Sequence, residues 1–183
     1  MTTAYAEAMG RETELRTARL LLRSFRTTDV DDSLAYRNDP EFARLLPHIP
    51  QPFTRADAEA FVAVNMTEPW DTFPTFAVVL DDRVIGTVNL EIDPANRTAM
   101  LGYAIARAHW GRGITVEAAT AAIAWAFAEH DLTEIWASTQ VHHVQSRRVM
   151  EKLGMFYDRT DHNEVVYRMP RSCHTGPVER STK

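Results

Sequence analysis

The sequence predicts an α/β protein, a mixed sheet with helices packed around it. Three observations lead there. About six to seven short β-rich segments are spread along the chain, not gathered at one end. Segments with helical spacing and recognisable caps fall between them. A strand also runs through a glycine-punctuated turn straight into an alanine-rich helix, at residues 100–129.

The elements follow in order. Residues 1–14 read as a loose leader and 171–183 as a polar, disordered tail, with one domain at 15–170. Residues 19–25, Arg-Leu-Leu-Leu-Arg-Ser-Phe, form a first strand. Thr28-Asp29 caps a helix that Asp39-Pro40 ends near Asn38. Pro47, Pro50 and Pro52 make residues 46–53 a loop. Thr54 with Asp57 resembles a capping box opening a helix to about Met66. A hairpin follows, with strands at 76–80 and 84–92 and Asp81-Asp82 as the turn. Alternation puts Val84, Gly86, Val88, Leu90 and Ile92 on one face, and Ile85, Thr87, Asn89 and Glu91 on the other. Asp93-Pro94-Ala95-Asn96 turns into a strand at 98–106. The Ala-rich helix covers 114–129, with Ile123, Trp125 and Phe127 as core. A strand at 134–139, a helix at 144–153 capped by Gly154, and strands at 155–160 and 165–169 complete the domain.

Bulk composition narrows the function. A chain of 183 residues is most simply one domain with a substantial core. A net charge of −5 argues against broad nucleic-acid binding, while Arg107, Arg112, Arg147, Arg148 and Lys152 allow a local basic site. The single cysteine, Cys173, excludes an internal disulfide and lies in the polar tail. No apolar run has membrane-span length and no signal-peptide pattern opens the chain. A cytoplasmic enzyme or binding protein fits.

The chemistry concentrates at residues 109–117, His-Trp-Gly-Arg-Gly-Ile-Thr-Val-Glu. Glycines let a ligand approach the backbone, and the first helical turn offers unpaired N–H groups at the positive end of the dipole. A phosphate or pyrophosphate is the expected guest. Neither GxxxxGK[ST] nor a dinucleotide GxGxxG fingerprint is present.

Two further segments add specificity: Leu15-Arg16-Thr17-Ala18-Arg19-Leu20-Leu21-Leu22-Arg23, and Ser146-Arg147-Arg148-Val149-Met150-Glu151-Lys152-Leu153-Gly154-Met155. With Gly102-Tyr103 and Trp110-Gly111-Arg112-Gly113 between them, the chain resembles the GNAT acetyltransferase superfamily. It looks closest to the branch of ribosomal-protein N-terminal acetyltransferases of the RimJ/RimL type. The resemblance covers about residues 15–169. It implies a mostly antiparallel sheet of about six to seven strands, splayed at the acetyl-CoA site, with about four helices. It also implies acetyl-CoA as donor. The free edge of the strand at Leu101, Tyr103, Ala104 and Ile105 would bond the pantetheine arm. The turn amides of Gly111, Arg112, Gly113, Ile114, Thr115 and Val116 would hold the pyrophosphate, with Arg112 adding a cation.

The chain departs from the family pattern at several positions. Thr115 stands where Gly or Ala is usual, and could crowd the pyrophosphate or bond it. His143 replaces an expected Asn, a place for cofactor contact. Met150 occupies the position of the Tyr that many relatives use as general acid. Met100 and Leu101 stand where some relatives carry Glu.

The reaction implied is acyl transfer from a thioester to a primary amine, which must lose a proton before attack. Ser146, at a helix N-terminus, is the candidate on the thiolate side; alternatively it caps the helix. Glu91, on the polar face with Asn89, is the candidate base; alternatively it is a solvated strand carboxylate. Glu117 complements the helix dipole. His142 and His143 without matching carboxylates or cysteines do not make a metal site. The acceptor site is assigned to His48, Trp70, Phe73 and Asn89, with Trp70 either stacking on substrate or joining the core. The acceptor is a peptide N-terminus or a small-molecule amine, and a homodimer is compatible. Two other functions remain open. One is transfer of another short acyl group such as succinyl. The other is a weakly active CoA-binding regulator.

Overall fold

The computed structural model describes residues 13–46 and 49–174. Eight strands form one sheet in the order β1-β2-β3-β4-β5-β6-β8-β7. They are β1 (Leu15–Arg16), β2 (Leu21–Arg23), β3 (Thr75–Leu80), β4 (Arg83–Asp93), β5 (Thr98–Ile105), β6 (Glu134–Gln140), β7 (Phe156–Asp161) and β8 (Glu164–Pro170). Every neighbouring pair is antiparallel except β5 with β6. Five α-helices accompany the sheet: α1 (Val30–Arg37), α2 (Pro40–Leu45), α3 (Arg55–Thr67), α4 (Ile114–Glu129) and α5 (Val144–Lys152).

The eighth strand and fifth helix are small elements that the sequence conceals. Residues 19–25 yield only a three-residue strand, and Leu15–Arg16 folds back on it. Pro40 ends α1 but also opens α2, because proline suits the first helical turn and Asp39 caps it through the Glu41 N–H at 2.8 Å. The Thr54–Asp57 capping box forms as expected. Past Pro170 the chain is ordered for one more 3-10 turn, Arg171–Cys173, whose Arg171 guanidinium binds the Leu132 carbonyl at 3.0 Å. The expected leader at residues 1–12 and the tail at 175–183 lie outside the described residues.

One expectation of alternation fails. Opposite β3, register jumps from Val78↔Gly86 to Val79↔Val84, so Ile85 is an extra residue. This bulge turns Val84 and Ile85 over. Val84 joins the cluster of Phe25, Tyr36, Phe53 and Val62 beneath α1 and α3. Ile85 joins Val88, Leu90 and Ile92 on the opposite face, against α4. Beyond Gly86 the alternation holds. Ala118, Ala119, Ala122 and Ala126 are wholly buried, so small side chains let α4 lie close on the sheet.

Candidate functional site

The site begins where the sheet divides. β5 and β6 pair only at Thr98↔Glu134, Ala99↔Ile135 and Met100↔Trp136. Beyond Met100, β5 continues along β4 as far as Ile105, while β6 continues along β8 to Gln140. The edge of residues 101–105 facing β6 therefore has no ladder partner. Leu101 and Ile105 are buried, so they can offer a ligand backbone only. The Ile105 carbonyl is already taken: the Trp110 indole donates to it at 2.6 Å. That bond braces the turn between β5 and α4, a role the sequence did not reveal for Trp110.

The turn keeps the expected form, for a backbone reason. Gly111 has φ 72° and Gly113 has φ 76°, a region that disfavours side chains. A Cβ on Gly111 would meet open space, so conformation and not crowding requires the glycine. Gly113 is the N-cap of α4 and no side chain caps it. The N–H groups of Ile114, Thr115 and Val116 therefore have neither an intrahelical nor a capping partner. Ile114 is buried, while Thr115 and Val116 are half-exposed.

Glu117 ties two distant sequence segments together at this turn. Its carboxylate accepts from Thr17 Oγ1 at 2.5 Å, Arg19 N at 2.9 Å and Arg19 Nε at 2.7 Å. Arg19 also donates to the Arg112 carbonyl at 3.1 Å. Burial raises the Glu117 pKa, but the bonds from Thr17 and Arg19 outweigh it and hold the carboxyl below its ordinary value. Glu117 is thus a clasp, a larger structural role than complementing the dipole. Arg112 is exposed, 3.4 Å from His109 Nδ1.

Across the split stands α5. Ser146 is buried in its first turn. The Tyr103 hydroxyl lies 2.9 Å from Ser146 Oγ and donates to the Ser146 carbonyl at 3.1 Å. Ser146 is therefore engaged with β5 and does not cap the helix. Burial pushes the Tyr103 phenol up to about 12, against the smaller effect of the Ser146 bond, so it stays protonated. Tyr103, expected to act through its backbone, contributes its hydroxyl as well. Met150, one turn along α5 from Ser146, is 1% exposed and faces the core. His143 is the N-cap position of α5, with its Nδ1 buried and unpartnered among the described residues. Burial lowers its imidazole below 6.5, and Arg44 on α2 acts the same way, which places His143 within electrostatic reach of α2.

The opposite face of β5 carries the acceptor candidates. Asn89 pairs with Gly102, and a Cβ on Gly102 would stand 2.5 Å from Asn89 Oδ1. The glycine of Gly102-Tyr103 makes room for that amide. Glu91 pairs with Met100 and is exposed, with no ion pair or hydrogen bond among the described residues. Leu90 N donates to Pro74 O at 3.0 Å and Ile92 N to Thr72 O at 2.8 Å, which sets Phe73 opposite Glu91. Phe73, Asn89 and Glu91 are thus brought together. Trp70 is not. Its ring stands edge-on to Phe76 at 4.9 Å and to Trp125 at 6.0 Å, on the α4 face. Trp125 lies about 16 Å along α4 from the glycine turn, so the core reading of Trp70 prevails. His48 lies outside the described residues.

A half-open sheet, a left-handed glycine turn and an uncapped helix start stand together at one end of β5. Residues 19–156 match the family model described as the acetyltransferase (GNAT) domain. The chain belongs to the GNAT acetyltransferase family and is an acetyl-CoA-dependent N-acetyltransferase. It is 32% identical over 143 residues to the uncharacterized N-acetyltransferase YnaD of Bacillus subtilis, covering 77% of this chain and 81% of that one. Its fold matches the GNAT acetyltransferase from Bacillus anthracis with a TM-score of 0.77 and 25% identity, over 87% of this chain and 99% of that chain. It also matches RimL, the ribosomal L7/L12 N-terminal acetyltransferase, with a TM-score of 0.74 at 15% identity, over 86% and 98% of the two chains.

Proposed function

We propose that this protein transfers an acetyl group from acetyl-CoA to a primary amine, with Glu91 receiving the amine's proton and Ser146 serving the departing thiol. The observation behind this reading is the placement of the two groups. Both flank the split of β5, on opposite faces of the sheet. The free edge at 101–105 and the open N–H groups at 114–116 fit a pantetheine arm followed by a pyrophosphate. Arg112 lies in the turn at the pyrophosphate end of that path. Acetyl-CoA supplies an acyl group activated as a thioester.

The residues divide the proton work. Glu91 is exposed, so it can take a proton from an ammonium group arriving from solvent. Ser146 is dry, at a helix N-terminus that favours negative charge. The Tyr103 phenol donates to the Ser146 carbonyl, so the Ser146 hydroxyl donates to the Tyr103 oxygen at rest and would turn to the leaving sulfur as charge develops there. Tyr103 thereby positions Ser146, which takes the place of the phenol that Met150 cannot supply. The acceptor class includes a protein N-terminus, the acceptor of the ribosomal L7/L12 acetyltransferase RimL, and small-molecule amines.

The test is a thermal-shift titration with acetyl-CoA, CoA, succinyl-CoA and ATP, followed by thiol-release assays on an amine panel. A ligand at 100 times its dissociation constant adds about 2.7 kcal/mol. The expected result is stabilisation by acetyl-CoA and CoA but not ATP, with thiol release on amine addition. Stabilisation without thiol release on any amine would overturn transfer and leave a CoA-binding protein.

A further inference from the structure

One row of the sheet passes from Phe73 through Glu91 and Met100 to Trp136, one residue on each of four neighbouring strands or their extensions. The register puts all four on the face away from α4. Ile135 and Ala137, on either side of Trp136, are fully buried on the other face. Phe73, Met100 and Trp136 are each only half-buried, and none belongs to either hydrophobic cluster. Helix α1 covers this face only further along, where Asp32 accepts from Val84 N at 2.8 Å. Among the described residues, the row therefore leaves three large apolar side chains only partly covered around one carboxylate, at the point where the sheet divides.

The carboxylates nearby differ from Glu91 in having hydrogen-bond partners. Asp93, two residues from Glu91, accepts from Ala95 N at 3.0 Å, Asn96 N at 3.1 Å and Asn96 Nδ2 at 2.6 Å. Glu134, two residues from Trp136, is bound to Arg168. Glu91, the carboxylate of this row, has no partner among the described residues. Glu91 suits one ammonium group, and the apolar side chains beside it suit an uncharged group better than a second cation. Adjacent strands are about 5 Å apart, so Trp136 stands about 10 Å from Glu91 across the row. That span suits an ammonium at Glu91 and a flat apolar group over Met100 against Trp136.

We infer that the acceptor is a monocationic amine carrying an aromatic or comparably flat apolar group, held by Phe73, Met100 and Trp136. This rests on the transfer reading above and adds the substrate class. The experiment compares phenethylamine, ethylamine and spermidine as acceptors by thiol release with acetyl-CoA. In parallel, phenethylamine is titrated calorimetrically into the CoA-loaded protein. Phenethylamine is expected to exceed both others by about tenfold in kcat/KM, about 1.4 kcal/mol. Trp136→Ala is expected to abolish that preference through KM, and Trp136→Phe to keep most of it. Because Trp136 packs in neither core, the folded state of the variants is checked simply by their retained CoA binding.

Spermidine as the best acceptor, a preference surviving Trp136→Ala, or absence of calorimetric phenethylamine binding would each overturn the inference. Equal acetylation of all three amines would sink it and leave acetyl transfer standing. Calorimetric binding lost in Trp136→Ala, with no thiol release, would support the aromatic site and sink the transfer reading.

Discussion

The two faces of β5 at the split are built on opposite principles. On the α5 side, Tyr103 and Ser146 bond to each other over a fully buried Met150. On the other side, Glu91 stands unpaired and exposed between half-open apolar side chains. The sealed face keeps a proton donor dry and fixed, where a developing negative charge is favoured by the helix terminus. On the proposed reading, the open face would admit a charged acceptor and let its proton escape to water. Stability and chemistry are therefore coupled on one face and separable on the other.

Substitutions can break that contrast. The largest effect is expected from Met150→Ala. Emptying a fully buried site should cost about 3 kcal/mol in denaturant unfolding. A cost below about 1 kcal/mol would mean the α5 face is not sealed. Glu91→Gln should lower kcat/KM about 100-fold, about 2.7 kcal/mol in the barrier. It should leave stability within about 0.5 kcal/mol, since the side chain has no partner to lose. An unchanged rate and pH profile would return Glu91 to an ordinary solvated carboxylate.

Tyr103→Phe separates the two roles of the sealed face. The ring still packs, so stability should fall by about 1 kcal/mol, the value of one hydrogen bond. Turnover should drop about tenfold, with acetyl-CoA affinity retained. Equal losses from Tyr103→Phe and Ser146→Ala, with no further loss in the double variant, would show that they act as one unit.

The smallest effect is a pH trend in stability. Burial lowers the imidazoles of His130 and His143 below 6.5. His130 Nε2 and His143 Nδ1 are both buried without partners among the described residues. The unfolded chain thus binds protons first as pH falls. Stability should be full above about pH 6.5 and decline as pH drops through the lowered folded values. His143→Asn should flatten part of that decline, and a pH-independent melting temperature between 7 and 5 would contradict it.

Much of this was legible in the residues. The glycine turn and the helix from Ile114 followed from local preferences, because left-handed φ and dipole geometry are properties of a few consecutive residues. The split of β5 was implied by family resemblance and not by spacing. The Glu117 clasp was half-seen: a carboxylate in a first helical turn is a local signal, but its partners Thr17 and Arg19 lie about a hundred residues away. Trp136 left a trace that went unread. It is a large aromatic on the strand face that also carries Glu134 and Ser138.

The sequence by itself determined the longer elements, the turn, and the residue types able to do acyl transfer. Helical period, capping and backbone steric limits act over at most a few residues, so the chain states them directly. Only the tertiary structure decided which of those residues meet. Trp70 went to the core because Phe76 and Trp125 surround it. Tyr103 gained Ser146 because α5 closes over one face of the split. Val84 and Ile85 exchanged faces because a bulge opposite Val78 and Val79 inserted one residue. Register and helix placement are set by burial summed over the whole domain, and no local pattern encodes that sum.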